Sequence, residues 1–253
     1  MTAVSRARSF DKAAARYATS RPSYPPVLFD VIEELIGRPL AGARVADVGA
    51  GTGIATALLC ARGAEMVGVE PGEQMVAQFR GVLPDVPIVR GDGNALPLAD
   101  GSRDLITYAQ AWQWTDTARS VPEALRVLSP GGALAVCWNT HALDVPWLAA
   151  QHERIARHCG VEPPAGTRLS DSEATRLAGL AGLDVARRRL RWSRAVPLDT
   201  HLATISSRSA FLVLHENRNR TFLADERSRL RGIFPDEVVT ETYVVDLLLA
   251  RRS

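Results

Sequence analysis

The sequence predicts an α/β fold: a doubly wound, mostly parallel sheet with helices on both faces. Three observations carry this expectation. Short apolar runs alternate with segments of helical spacing between residues 40 and 140. Those runs stop at glycines or polar residues, as buried parallel strands do. The first run also feeds Asp47-Val48-Gly49-Ala50-Gly51-Thr52-Gly53, a glycine-rich turn that opens a helix. The chain has 253 residues, 46% hydrophobic and 23% charged, which are globular proportions and enough length for a sizeable core.

The elements follow in order. Ala43–Val48 reads as a buried strand. Thr52–Arg62 has helical spacing, with Gly63 where a C-cap would sit. Glu65–Glu70 is the second strand, Gly72–Gly81 the next helix, Pro87–Arg90 the third strand and Asp104–Ala109 the fourth. Thr117–Leu128 is an amphipathic helix stopping before Pro130-Gly131-Gly132, and Ala133–Trp138 is the fifth strand. Beyond residue 140 the spacing predicts helices over 147–159 and 171–181, a strand over Val185–Trp192, helices over 199–215 and 219–231, and a last strand over Thr240–Ala250. This part is expected to extend the same sheet and to add a helical cap.

Composition excludes several classes. Lys+Arg 30 against Asp+Glu 28 gives a net charge of +2, which does not call for nucleic acid. Lys12 is the single lysine, so no Walker-A lysine follows a glycine-rich loop. Cys60, Cys137 and Cys159 are odd in number and far apart, which reads as reduced thiols. No metal-binding spacing occurs. No apolar run reaches the ~20 residues of a membrane span, and residues 1–25 lack a signal-peptide core. The protein is read as cytoplasmic. Arg187-Arg188-Arg189-Leu190-Arg191 is one basic run on an edge-region strand, where charge deters edge pairing; RNA binding is the sharper alternative.

Chemistry concentrates at the carboxyl ends of the strands. The third glycine of the turn is Gly53, one place earlier than in the dinucleotide fingerprint, whose sixth position is Ile54 here. Asp47 before the turn would repel a pyrophosphate and suit a ligand carrying an ammonium group; the plainer alternative is an acid bonding turn amides. Glu70 ends the second strand, where a carboxylate can accept both hydroxyls of a ribose. Asp92, within Gly91-Asp92-Gly93-Asn94-Ala95-Leu96-Pro97, is placed to accept from an adenine amino group. Gln110 and Trp112 follow the fourth strand.

This set resembles the class I S-adenosylmethionine-dependent methyltransferases, and within them the small-molecule enzymes of the ubiquinone/biotin-pathway type. The resemblance is close over residues 10 to 140 and looser beyond. It implies that Asp47, Gly49, Ala50, Gly51 and Gly53 wrap the methionine moiety of S-adenosylmethionine, and that Glu70 takes the ribose. It implies that Pro71, Gln74 and Met75 border the adenine, with Asp92, Gly93 and Asn94 closing that end. Tyr17…Arg21-Pro22-x-Tyr24-Pro25 resembles an arm that folds over the cofactor. Leu128-Ser129-Pro130-Gly131-Gly132 matches the family's turn before the fifth strand. The family's sheet ends in an antiparallel seventh strand beside the fifth, which residues 240–250 would supply. The whole chain, 1–253, is read as one methyltransferase domain: helical arm 1–40, cofactor-binding core 41–140, acceptor-side helices and strands 141–253.

Gln113 stands where relatives often carry histidine, and a glutamine cannot take a proton at neutral pH. Of Trp112 and Trp114, at least one is expected to line the acceptor pocket. His141, after the fifth strand, and Tyr17 are the candidates should a base be needed; a surface-loop role for His141 is the alternative. The function these features predict is methyl transfer to a small organic acceptor, catalysed mainly by in-line positioning and exclusion of water. The alternatives are cofactor binding without transfer, and RNA methylation. Neither monomer nor homodimer is favoured.

Overall fold

The computed structural model describes residues 21–161, 174–175, 178–207, 211 and 214–252. Helix α1 (Val27–Ile36) ends on Gly37, which is left-handed at φ 73°. Then follow β1 (Arg44–Val48), α2 (Ile54–Ala61), β2 (Glu65–Glu70), α3 (Glu73–Val82), β3 (Ile88–Arg90) and β4 (Arg103–Ala109). A short 3₁₀ turn over Trp112–Trp114 leads to α4 (Thr117–Val127), whose N-cap Asp116 accepts from Ala118 N. The chain continues through β5 (Leu128–His141), α5 (Pro146–Cys159), β6 (Val185–Pro197), α6 (Leu198–Ser206), α7 (Glu216–Ile233) and β7 (Val238–Arg251).

The seven strands lie in the order β3-β2-β1-β4-β5-β7-β6. β1 pairs in parallel with β2 and β4, and Val45, Ala46, Asp47 and Val48 are all buried. β7 is inserted beside β5 and runs antiparallel to both β5 and β6, so six strands share one direction and the last opposes them. α4 packs Ala124 and Val127 on one face of the sheet; α1 and α2 cover the other with Leu28, Ile32 and Leu59. A third apolar cluster joins α5, α6 and α7 through Ile155, Leu202, Ile205 and Leu230 to Val196 and Val239 at the strand ends. This is the cap.

Two strands are longer than their apolar runs. The β4–β5 pairing jumps from Arg103↔Leu128 to Leu105↔Ala133, so the Pro130-Gly131-Gly132 turn is a bulge inside β5, with Gly131 at φ 73°. At the other end β5 reaches His141 and β6 reaches Pro197, because β7 pairs with both that far. The polar residues there, Asn139, His141 and Arg194, hid the strands from an apolar pattern; each finds a side-chain partner in the folded chain. Of the helix expected over 171–181, residues 174–175 are helical and 178–181 are turn or coil, and the others lie outside the described residues, as does part of the segment after Ser207 in the range 199–215.

Candidate active site

The β1–α2 turn is shaped by its glycines. Gly49 is left-handed at φ 69°, and a Cβ there would lie 2.4 Å from the Ala111 Cβ. The Gly49 and Ala50 amides donate to Val69 O at 2.8 and 3.2 Å, tying the turn to the end of β2. Gly51 differs. It is left-handed at φ 56°, and a Cβ would meet nothing nearer than Gly49 O at 3.9 Å. Its outer side faces a cavity lined by Arg21, Asp47, Gly49, Ala50, Gly51 and Gln110 of the expected residues. Gly53, at φ 90°, starts α2 and packs under Phe79 and Leu83. Thr52 and Asn139 line the same cavity and were missed from sequence. Thr52 was readable as part of the turn. Asn139 had no local signal.

Asp47 is 1% exposed. Thr56 Oγ1 donates to its Oδ2 at 2.6 Å and Thr107 Oγ1 to its Oδ1 at 3.0 Å. Thr107 is its register partner on β4, which explains the second contact. Burial pushes the Asp47 carboxyl up, and the two hydroxyls partly offset this. Asp47 is therefore held by hydroxyls of α2 and β4 while it still borders the cavity.

Glu70 joins the cavity through Gly51. Its Oε2 accepts from Gly51 N at 2.9 Å and its Oε1 from Gly72 N at 2.8 Å, so one carboxylate clamps two successive strand-end turns. Pro71 is exposed and Met75 buried on α3. Asp92 is exposed and accepts from Asn94 N at 2.6 Å; Asn94 Oδ1 accepts from Asp116 N at 2.7 Å. Gly93 is fixed by Tyr108, whose ring lies 2.9 Å from where its Cβ would be. Glu70, Pro71, Met75, Asp92, Gly93 and Asn94 do not line the cavity itself.

The segment after β4 departs from expectation. Gln110 is left-handed at φ 61°, an unusual conformation for a side-chain-bearing residue. Its Nε2 donates to Asn139 O at 2.5 Å. Gln113 Nε2 donates to Gln110 O at 2.7 Å and its Oε1 accepts from Trp138 Nε1 at 3.2 Å, so Gln113 braces the turn. Trp112 is core, not pocket lining: it is 3% exposed, lies edge-on to Tyr108 at 4.7 Å, and donates from Nε1 to Ala178 O at 2.8 Å. Trp114 is half-buried and also absent from the cavity wall. The 3₁₀ turn rotates Trp112 inward, and neither tryptophan lines this cavity.

The arm and the far strands meet at Asn139. Its Nδ2 donates to Ser23 O at 3.0 Å and its Oδ1 accepts from Trp192 Nε1 at 3.1 Å. Arg21 reaches from the arm to Ser207 O in the cap at 3.5 Å. Tyr17 lies outside the described residues. His141 is not a surface-loop residue; it ends β5, 8% exposed, with Nδ1 2.8 Å from His152 Nε2 and its ring stacked on Tyr243 at 4.6 Å. Four of the five arginines of β6 lie beside acids: Arg187 by Asp246, Arg191 by Asp144, Arg194 by Glu241, and Arg188 3.8 Å from Glu34. Among the described residues no group of three or more His, Cys, Asp or Glu is placed to hold a metal ion. No helix among them is long and apolar enough to cross a membrane.

The comparisons agree with this architecture. A methyltransferase-domain family model matches residues 46–136, the segment from β1 through most of β5. An uncharacterised methyltransferase of Mycobacterium tuberculosis is 34% identical over 227 residues, covering 90% of this chain and 87% of that protein. Two relatives with named reactions match shorter stretches. A demethylmenaquinone methyltransferase of Corynebacterium kroppenstedtii is 41% identical over 39% of this chain and 43% of its own length. A malonyl-[acyl-carrier protein] O-methyltransferase of Methylococcus capsulatus is 43% identical over 37% and 36% respectively. Among solved structures, a protein described as a type II methyltransferase from Anaeromyxobacter dehalogenans superposes with a TM-score of 0.64 at 23% identity, covering 91% of this chain and 97% of that one. With the strand order, the glycine turn and the Glu70 clamp, these matches identify the chain as a member of the class I S-adenosylmethionine-dependent methyltransferases.

Proposed function

We propose that this enzyme methylates a small organic acceptor in the cytoplasm, with the chain working as a single domain. The observation that carries the reading is the engagement of the β6 arginines by acids, beside a strand-end cavity that the arm borders. Residues 21–24 of the arm close one side, tied to the cap through Ser207 and to β5 through Asn139. Arginines paired in this way are not offered to a polynucleotide, which favours a small acceptor. The two relatives with named reactions, acting by name on demethylmenaquinone and on a malonyl carrier-protein conjugate, support the same class.

The residues present fit the cofactor. Thr52 Oγ1 is buried in the cavity wall with no hydrogen-bond partner among the described residues, a donor left for a ligand. A Cβ on Gly51 would project into the same space. We assign the methionyl end to Asp47, the Gly49–Gly53 turn, Thr52 and Arg21, with Gln110 beside it. Glu70 is assigned to the ribose, and Pro71, Met75, Asp92, Gly93 and Asn94 to the adenine. When bound, S-adenosylmethionine supplies an electrophilic methyl group on a sulfonium. The chain's work is then to align the acceptor with that methyl and exclude water, and no triad is required.

The experiment is release of S-adenosylhomocysteine with three probes: a demethylnaphthoquinol, a malonyl thioester and total tRNA. Turnover with a small molecule and none with tRNA is expected. Turnover with tRNA alone would overturn the acceptor class. Tight cofactor binding with no turnover on any probe would favour a binding module of the same fold.

A further inference from the structure

The arm, the turn after β4 and strand β6 meet at one residue, Asn139 of β5. It lines the cofactor cavity and is 7% exposed. Three of its polar atoms are taken up by three different parts of the chain. Its Nδ2 donates to Ser23 O of the arm at 3.0 Å, and its Oδ1 accepts from Trp192 Nε1 of β6 at 3.1 Å. Its main-chain O accepts from Nε2 of the left-handed Gln110 at 2.5 Å.

Only one orientation of the Asn139 amide satisfies both side-chain contacts. An indole N–H can only donate and a carbonyl can only accept. The amide oxygen therefore faces Trp192 and the NH₂ group faces Ser23. The indole is fixed in turn: its ring stacks on Tyr243 at 5.1 Å, and Tyr243 stacks on His141 at 4.6 Å. Trp192 thus aims the amide, and the amide reaches the arm. An aspartate of the same shape would keep the contact to Trp192, but when ionised it has no hydrogen for Ser23 O. Alanine would lose both contacts.

What the amide holds is one wall of the cavity. Pro22 and Tyr24, the neighbours of Ser23, both line it, across from Asp47 and the Gly49–Thr52 turn. Ser23 O belongs to the peptide unit shared with Tyr24, so fixing that oxygen fixes the plane that carries Tyr24 into the wall. Tyr24 is buried and hydrogen-bonds the side chain of Cys137, two residues before Asn139 on β5. Towards the cap, Arg21 Nη2 donates to Ser207 O over a longer 3.5 Å. The arm therefore crosses from β5 to the cap, and Asn139 grips it at the β5 end.

We propose that Asn139 is a positioning residue for cofactor exchange: aimed by Trp192, it latches residues 21–24 against the cavity and so sets how fast S-adenosylhomocysteine leaves after transfer. This rests on the cofactor-site reading above.

The test times the dissociation of S-adenosylhomocysteine by stopped-flow displacement in wild type, Asn139→Asp, Asn139→Ala and Trp192→Phe. Deuterium exchange of the arm is followed in the same complexes. Loss of one neutral hydrogen bond corresponds to a rate change of about fivefold. Asn139→Ala should release the ligand faster by about that factor, and Asn139→Asp by about tenfold or more, since its carboxylate opposes Ser23 O. Trp192→Phe should show a smaller rise, because the amide is no longer aimed but keeps its NH₂ group. The peptide over residues 21–29 should exchange faster in the same order, with β1 and β4 exchanging as in wild type. A role in packing alone predicts the reverse, because Asn139→Asp preserves both volume and the Trp192 contact. Unchanged dissociation rates in the Asn139 variants, or a rate for Asn139→Asp nearest to wild type, would overturn the latch. Failure of wild type to bind S-adenosylhomocysteine would instead overturn the parent reading.

Discussion

The two halves of the strand-end crevice are built from different material. At the ends of β1 and β2 the work is done by backbone: left-handed glycines, amides donating to Val69 O, and one carboxylate, Glu70, joining two turns. At the ends of β5, β6 and β7 it is done by side chains from distant parts of the chain, which meet around Glu241 and Tyr243. A backbone cradle suits a ligand that is the same in every relative. A side-chain cluster can be rebuilt for a new acceptor without disturbing the cradle. The halves should therefore be separable by mutation.

The largest expected effect tests the side-chain half. Glu241→Ala leaves Arg194, His201 and the Tyr243 hydroxyl without their shared acceptor, and breaking a buried pair costs about 3–5 kcal/mol. A large fall in Tm is expected, with affinity for S-adenosylhomocysteine at low temperature within about twofold of wild type. Loss of both together would show the halves to be one unit. Next is Gly51→Val. A β-branched side chain at φ 56° is strained and fills the cavity, so calorimetry should show affinity for both sulfur ligands reduced by about 100-fold or more. Glu70→Ala removes a charged acceptor and unties Gly51 from Gly72, a loss of about 1.5–3 kcal/mol in cofactor binding, read as a 10- to 100-fold weaker Kd.

The acids of the two halves also titrate in opposite directions. Burial works to raise Glu241, but His201, Tyr243 and Arg194 outweigh it, so its carboxyl lies below the ordinary value. The stability it contributes is present above the unfolded value and lost as pH falls through the folded one. Asp47 is raised by burial, so its contribution is present at low pH and lost as pH rises through the folded value. Melting curves between about pH 5 and pH 3 should fall more steeply for wild type than for Glu241→Gln. A parallel fall would remove Glu241 from the acid response. The smallest effect concerns Trp112→Phe, which gives up the Ala178 hydrogen bond for about 1 kcal/mol of stability and should leave cofactor affinity unchanged.

The same division explains what could be read from the sequence. Asp47, Gly49, Gly51, Gly53 and Glu70 sit within two consecutive strand–turn units, so spacing brought them together; alternation predicted a parallel sheet, and the antiparallel last strand beside β5 came from the family resemblance. Asn139 could not be found this way: its partners Ser23 and Trp192 lie 116 and 53 residues away. Trp112 and Trp114 flank Gln113 symmetrically in sequence, and only the 3₁₀ turn decides that Trp112 faces inward. The polar ends of β5 and β6 read as loop because their strand character comes from pairing with β7, about a hundred residues beyond β5 and fifty beyond β6.

The central claim is that the β1–α2 turn is a cradle for S-adenosylmethionine, and the most direct test is calorimetric titration of wild type and Gly51→Val with S-adenosylmethionine, S-adenosylhomocysteine and NAD. The expected result is binding of both sulfur ligands and not of NAD by wild type, with both lost in the variant. Binding of NAD by wild type, or undiminished binding of the sulfur ligands by a folded Gly51→Val protein, would contradict it.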